Sequence, residues 1–128
     1  MQTTRLGRTS RPLRVKRVYD PPSGDDGVRV LVDQLWPRGL SKAKASIDLW
    51  LKDLAPSVAL RRWFNRDPAK WTEFRHRYEE ELNAKKAAVA ALVGAVRRGR
   101  VTLLFGARDT RHNSAVALQG YLQTIEQS

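Results

Sequence analysis

The sequence predicts an α/β domain, a small mixed sheet of about four strands with helices on both faces in a three-layer sandwich. Three observations carry this. Short β-branched or apolar runs fall at 15–19, 28–33 and 101–105. A long stretch between the second and third of these has helical periodicity. A further helical stripe follows the last run.

Val15 to Tyr19 is a first strand, bounded by polar residues and prolines. Asp20-Pro21-Pro22-Ser23-Gly24-Asp25-Asp26-Gly27 then collects strong turn formers. In the second strand, Val28, Val30 and Val32 alternate while Leu31 adds an apolar residue to the other face, as in a strand covered on both sides. No helix intervenes between these runs, so they are expected to pair antiparallel. Trp36-Pro37-Arg38-Gly39 reads as a tight turn, with Pro at its second position. Ser41 suits the cap of a short helix through Ala45. Ile47, Leu49 and Leu51 alternate with polar residues and Trp50, which suggests a third strand ending near Ala55-Pro56.

Leu60, Trp63 and Phe64 share one face of a helix starting near Ser57. Asp67-Pro68 is a second helix start, followed by the stripe Trp71, Phe74, Tyr78 and Leu82. The stripe Val89, Leu92, Val93 and Val96 ends at Arg97-Arg98-Gly99, with a break expected near Asn83-Ala84. Glu79-Glu80-Glu81 reads as a solvated helix face rather than an acid–base pair. Val101 to Phe105 is a buried strand, expected to lie parallel beside 28–33 at the centre of the sheet. A final helix carries Ala115, Leu118, Leu122 and Ile125.

Composition narrows the function classes. At 41% apolar residues the chain can bury a core. It has no cysteine, which excludes disulfides, thiolate metal sites and cysteine nucleophiles. No run approaches the roughly 20 apolar residues of a membrane span, and no leader is evident, so a cytoplasmic location without membrane contact is the expectation. The net charge is +11, and six basic residues with no acid fall within 1–17. Residues 1–13 are expected to form a basic, flexible tail, and 14–128 a single α/β domain. The tail reads either as solvated chain or as an arm for phosphates.

Open α/β sheets bind ligands beyond the carboxyl ends of their strands. Two loops leave such ends here: Asp33 to Gly39 and Arg108 to Asn113. If the strands are parallel neighbours, both loops open on one edge. Asp33, Asp109 and His112 are then the catalytic candidates, His112 for proton transfer. Arg38, Trp36, Arg108, Arg111 and Asn113 are the ligand-binding candidates, suited to a small phosphate- or carboxylate-bearing molecule. Each has a structural alternative. Asp33 suits a turn acceptor, Arg38 an ion pair with Asp33 or Asp109, and Asp109 a turn or cap. Asn113 suits a helix cap, His112 a hydrogen-bonded structural group, and the four tryptophans core positions. Motifs for dinucleotide, P-loop, zinc-protease and serine-hydrolase chemistry are absent, and neither a metal nor a cofactor is expected.

Several stretches resemble a known family when taken together. They are Arg17-Val18-Tyr19-Asp20, Asp26 to Asp33, Leu35-Trp36-Pro37-Arg38-Gly39-Leu40, Leu49 to Ser57, and Leu60-Arg61-Arg62-Trp63-Phe64. The last is Val101 to Phe105 followed by Asp109 and His112-Asn113-Ser114-Ala115. In this order they resemble the YeaO-like branch of domain-of-unknown-function family 488 over about residues 14 to 123. The resemblance implies an α/β/α sandwich in a bacterial cytosol and no particular activity. Other branches carry cysteines and a Cys-His-Arg motif near the last strand-to-helix loop. The matching positions here are Phe105 and Asn113-Ser114-Ala115, which argues against thiol chemistry. Some relatives bear a transcription-regulator label, but this sequence has no helix-turn-helix signature.

Three functional hypotheses follow. The first is a small-molecule site at the strand carboxyl edge, with or without catalysis. The second is non-specific nucleic-acid binding through the basic surface and tail. The third is a protein-interaction module.

Overall fold

The structure is a computed structural model that describes residues 13–127. Its sheet contains β1 (Arg14–Arg17), β2 (Val28–Leu31), β3 (Leu49–Trp50) and β4 (Val101–Phe105), in the spatial order β1-β4-β2-β3. The helices are α1 (Lys42–Ala45), α2 (Val58–Phe64), α3 (Trp71–Asn83), α4 (Lys86–Arg98) and α5 (Ser114–Gln127). The chain is thus α/β with four strands, as expected. Among the described residues every strand pair is parallel, so the sheet is not mixed.

The expected antiparallel pairing of the first two strands is therefore corrected. β4 lies between them, and both align with it. The return from β1 is a 3-10 turn, Gly24–Asp26, braced against the sheet. Asp26 is fully buried and accepts from Lys16 Nζ on β1 (3.1 Å), Arg29 Nη1 on β2 (2.6 Å) and the Ser23 amide (3.0 Å). Its own carbonyl accepts from Thr102 Oγ1 on β4 at 2.8 Å. One residue thus touches three strands and carries the chain back across the sheet without a helix. The absence of a helix does not make this connection a hairpin, because polar side chains on the sheet face hold the crossing segment.

The two faces follow the alternation read in the sequence. Val30, Val32, Val101, Leu103 and Phe105 enter the main core with residues of α2–α5. Leu31 and Leu104 face the other way, into a smaller cluster with Val18 and Ala45, flanked by Trp36, Leu40, Ile47 and Trp50. The third strand is shorter than expected. Its ladder closes with the Leu51 amide on the Leu31 carbonyl (2.9 Å), and the chain then turns through Lys52–Leu54. Leu54 is buried, and its carbonyl accepts from the Tyr78 hydroxyl.

Helix starts match their residues. Ser41 caps α1, and Ser57 caps α2 through the Leu60 amide (3.1 Å). Asp67 caps the 3-10 turn Pro68–Lys70 that leads into α3. α3 ends at Asn83 and α4 begins at Lys86, as the break near Asn83-Ala84 anticipates. The acidic triplet needs one correction. Glu81 is not simply solvated, because its carboxylate takes the Ser57 amide at 2.8 Å and the Ser57 hydroxyl at 2.6 Å. That contact ties the start of α2 to α3. The 36–39 turn is also shifted by one residue: the Leu40 amide reaches the Pro37 carbonyl (3.4 Å), and Gly39 supplies the positive φ of 80°.

Leu13, placed in the tail by the sequence reading, is buried in the main core, and its carbonyl accepts from Gln119 Nε2 at 2.7 Å. Residues 1–12, and with them the rest of the tail reading, lie outside the described residues. No helix among the described residues is long and apolar enough to cross a membrane.

Candidate functional site at the carboxyl edge of the sheet

Parallel β2 and β4 direct both of their exits to one edge, where Asp33 joins them. Its Oδ2 accepts from the Gly106 amide (3.0 Å), just past β4. Its Oδ1 accepts from Ser114 Oγ (3.1 Å), at the start of α5. Its carbonyl accepts from Trp50 Nε1 (2.8 Å). The segments after β2 and β4 thus meet at Asp33. Asp33 is half-buried. Burial raises its carboxyl above the ordinary carboxylate value, and the Gly106 and Ser114 bonds and the charge of Arg61 offset this only in part.

The exit of β1 opens on the same edge. The Arg17 guanidinium lies 5.0 Å from the Tyr19 ring centroid, and its Nε donates to the Ala107 carbonyl at 3.1 Å. The Tyr19 hydroxyl donates to the Arg38 carbonyl at 2.9 Å. Arg17 and Tyr19 therefore bridge the 36–39 and 106–113 loops. The sequence reading missed both, together with Gly106, Ser114 and Arg61. Gly106, a glycine at a strand end beside the candidate loop, carried a signal, and Arg17, Tyr19, Arg61 and Ser114 fall in the stretches that carry the family resemblance, from which no role at this edge was read. Arg17 and Tyr19 came to this edge through the pairing of β1 with β4, and Ser114 and Arg61 through the placement of α5 and α2.

Asp109, His112 and Asn113 form a self-contained turn. Asp109 Oδ1 accepts from the amides of Arg111 (2.9 Å) and His112 (3.0 Å), and its Oδ2 lies 2.9 Å from His112 Nδ1. These contacts, the Arg111 amide foremost and the His112 ring next, hold the Asp109 carboxyl below its ordinary value. The His112 ring meets Trp71 edge-on, with centroids 5.2 Å apart. Asn113 caps α5: its Oδ1 accepts from the Val116 amide (3.0 Å), and its Nδ2 donates to the Asp109 carbonyl (2.9 Å). Its side chain is committed to structure. None of these three bonds to Asp33.

Trp36 is likewise structural. Its Nε1 donates to the Leu40 carbonyl (2.7 Å), and its ring packs edge-on against Trp50 at 5.4 Å. Arg38, Arg108 and Arg111 are exposed, and among the described residues none forms an ion pair. The suggested Arg38 bridge to Asp33 or Asp109 is thus not formed. The loops of this edge carry exposed guanidinium groups without an ion pair, and the edge holds a half-buried carboxylate that is already hydrogen-bonded. No group of His, Cys, Asp and Glu among the described residues is arranged to hold a metal ion.

Comparison with known proteins agrees with the family resemblance. A family model described as the inactive DUF488-N3 subclade matches residues 12–127. The chain is 36% identical over 113 residues to the uncharacterized protein YeaO of Escherichia coli, covering 88% of this chain and 98% of YeaO. It is 42% identical over 106 residues to the uncharacterized proteins Mb3100c of Mycobacterium bovis and Rv3073c of Mycobacterium tuberculosis, covering 83% of this chain and 89% of each. No solved structure matches it. The chain belongs to the inactive DUF488-N3 subclade, as a YeaO-like member of the DUF488 family.

Proposed function

We propose that the carboxyl edge of the sheet binds a small molecule that carries a phosphate or carboxylate together with a hydrogen-bond donor. Arg38, Arg108 and Arg111 hold the anionic group, with Arg17 behind them. Asp33 accepts from the ligand's hydroxyl or amine, since it retains lone pairs after its bonds to Gly106 and Ser114. Trp36 and Asn113 shape the two loops rather than touch the ligand. Asp109 orients His112, the proton-transfer group of any reaction at this edge. The observation that carries the reading is the carboxylate of Asp33, in the exit of β2, bound to both ends of the segment between β4 and α5.

The description of the subclade as inactive favours binding without turnover. The test is a thermal-shift screen with inorganic phosphate, nucleotides and small carboxylates, repeated on Arg38→Ala. A saturable shift that weakens in the variant supports the reading. No saturable shift, or one the variant leaves unchanged, counts against it.

The second reading is sequence-tolerant nucleic-acid binding, favoured by the net charge of +11. The basic side chains of β1 support it little. Arg14 donates to the Asp25 carbonyl, Lys16 pairs with Asp26, and Arg17 is held by Ala107. The contribution of the arm therefore rests on Arg5, Arg8 and Arg11, and deleting residues 1–13 should flatten the salt dependence of binding. An unchanged slope refutes the arm as the contact.

A further inference from the structure

A second feature lies on the helical side, away from the strand exits. Between α4 and α5 runs an open groove of about 380 Å³, with Leu82, Val89, Val93, Gly94, Tyr121 and Ile125 in its wall. Lys86 and Arg97 line it as well, and among the residues whose side chains are described no acidic one does. These two cations are eleven positions apart on α4, about 16 Å along a helix axis. The groove is thus apolar along its length and cationic at both ends.

Gly94 is the second observation. It sits inside α4, where glycine is the poorest ordinary helix former. Nothing in the fold requires it. A Cβ there would meet only the flexible Arg98 Nη1, at 3.4 Å, and its φ is not positive. What the missing side chain does is keep the wall of the groove low.

We propose that this groove receives an amphipathic helix from another protein, with an apolar face and acidic residues at each end. The length suits three helical turns, the apolar wall suits side chains at i, i+3, i+4 and i+7, and Lys86 and Arg97 suit the acids. A second copy of this chain is the wrong occupant, because each copy carries +11.

The test uses the full chain, isotope-labelled for NMR, and two helical peptides of roughly 14 residues. Both carry leucines at i, i+3, i+4 and i+7; one has glutamates at its ends and the other lysines. The glutamate peptide should bind at least about tenfold more tightly at low salt, shifting the amides of Val89, Val93, Gly94 and Tyr121. Gly94→Leu fills the groove while improving helix propensity, so it folds, and it should weaken binding about tenfold or more. The Lys86→Glu, Arg97→Glu double variant should reverse the preference between peptides. Equal binding of the two peptides, shifts elsewhere, no binding at millimolar peptide, or an unaffected Gly94→Leu variant overturns the proposal. Saturable laurate binding at these amides without peptide binding also overturns it, in favour of a lipid ligand.

Discussion

Asp33→Ala and Asp33→Asn should behave very differently, and the contrast follows from the geometry of one carboxylate. The alanine variant loses two accepted hydrogen bonds, from the Gly106 amide at 3.0 Å and Ser114 Oγ at 3.1 Å. Bonds to a charged acceptor contribute about 1.5–3 kcal/mol each, or roughly 3–6 kcal/mol for the pair. Desolvation of the carboxylate outweighs these bonds, so the loss comes from the Gly106 N–H and Ser114 O–H left without their acceptor, about 2–3 kcal/mol in all. Asparagine can keep both contacts, accepting from Gly106 through Oδ1 and donating to Ser114 through Nδ2, without a buried charge. It should lie within about 1 kcal/mol of wild type at pH 7. The sign of the pH effect is also fixed. The folded carboxyl is raised, so its stabilising contribution is complete below the unfolded value near 3.9 and is lost as pH rises through the folded value. The asparagine variant should gain on wild type across that rise. Urea unfolding of the three proteins at several pH values reads both effects. Equal midpoints for alanine and wild type, or an asparagine variant as damaged as alanine, would refute the bridging role.

Three further predictions concern the scaffold. Asp26→Ala breaks a buried ion pair with Arg29 and should cost about 3–5 kcal/mol, read by urea unfolding. Burial raises the Asp26 carboxyl, but the Ser23 amide, Lys16 and Arg29 more than reverse this, so it lies below its ordinary value. Its stabilising contribution is thus present above the unfolded value and should fade as pH falls through the folded one; Tm measured against pH in wild type and variant checks this. Gly27→Ala should be more damaging than an ordinary surface change, with loss of at least about 2 kcal/mol. At φ 65° the new Cβ would sit 2.7 Å from the Arg100 carbonyl carbon, where the Val28 amide begins the β2–β4 pairing. Asn113→Ala removes the cap of α5 and should cost about 1 kcal/mol, seen as a lower Tm and faster amide exchange at Val116.

The parts legible in the sequence were those set by local physics. Alternation at Val30 and Val32 with Leu31 opposite gave a strand buried on both faces, and the two core clusters show it; Val28, at the start of the strand, is exposed instead. Ser41, Ser57, Asp67 and Asn113 cap the elements their chemistry suggested. Direction and partnership were not legible, because they depend on contacts far apart in sequence. The parallel course of β1 rests on Asp26 reaching Lys16, Arg29 and Thr102, and nothing local in a Pro/Gly/Asp-rich segment distinguishes that from a hairpin. Glu81 was misplaced for the same reason, since its partner Ser57 is 24 residues away. At the site, the convergence of the loops was foreseeable from parallel central strands. The roles of Arg17, Tyr19 and Ser114 were not, because they need the position of β1 and the start of α5.

The central functional claim is that segments from separate strand exits make one anion site. NMR titration of the labelled full chain with inorganic phosphate tests it most directly. The amides of Arg38, Gly106, Arg108 and Ser114 should move together along one saturation curve. Phosphate that moves only one of the two loops, or produces no saturating shift at this edge, would contradict the account.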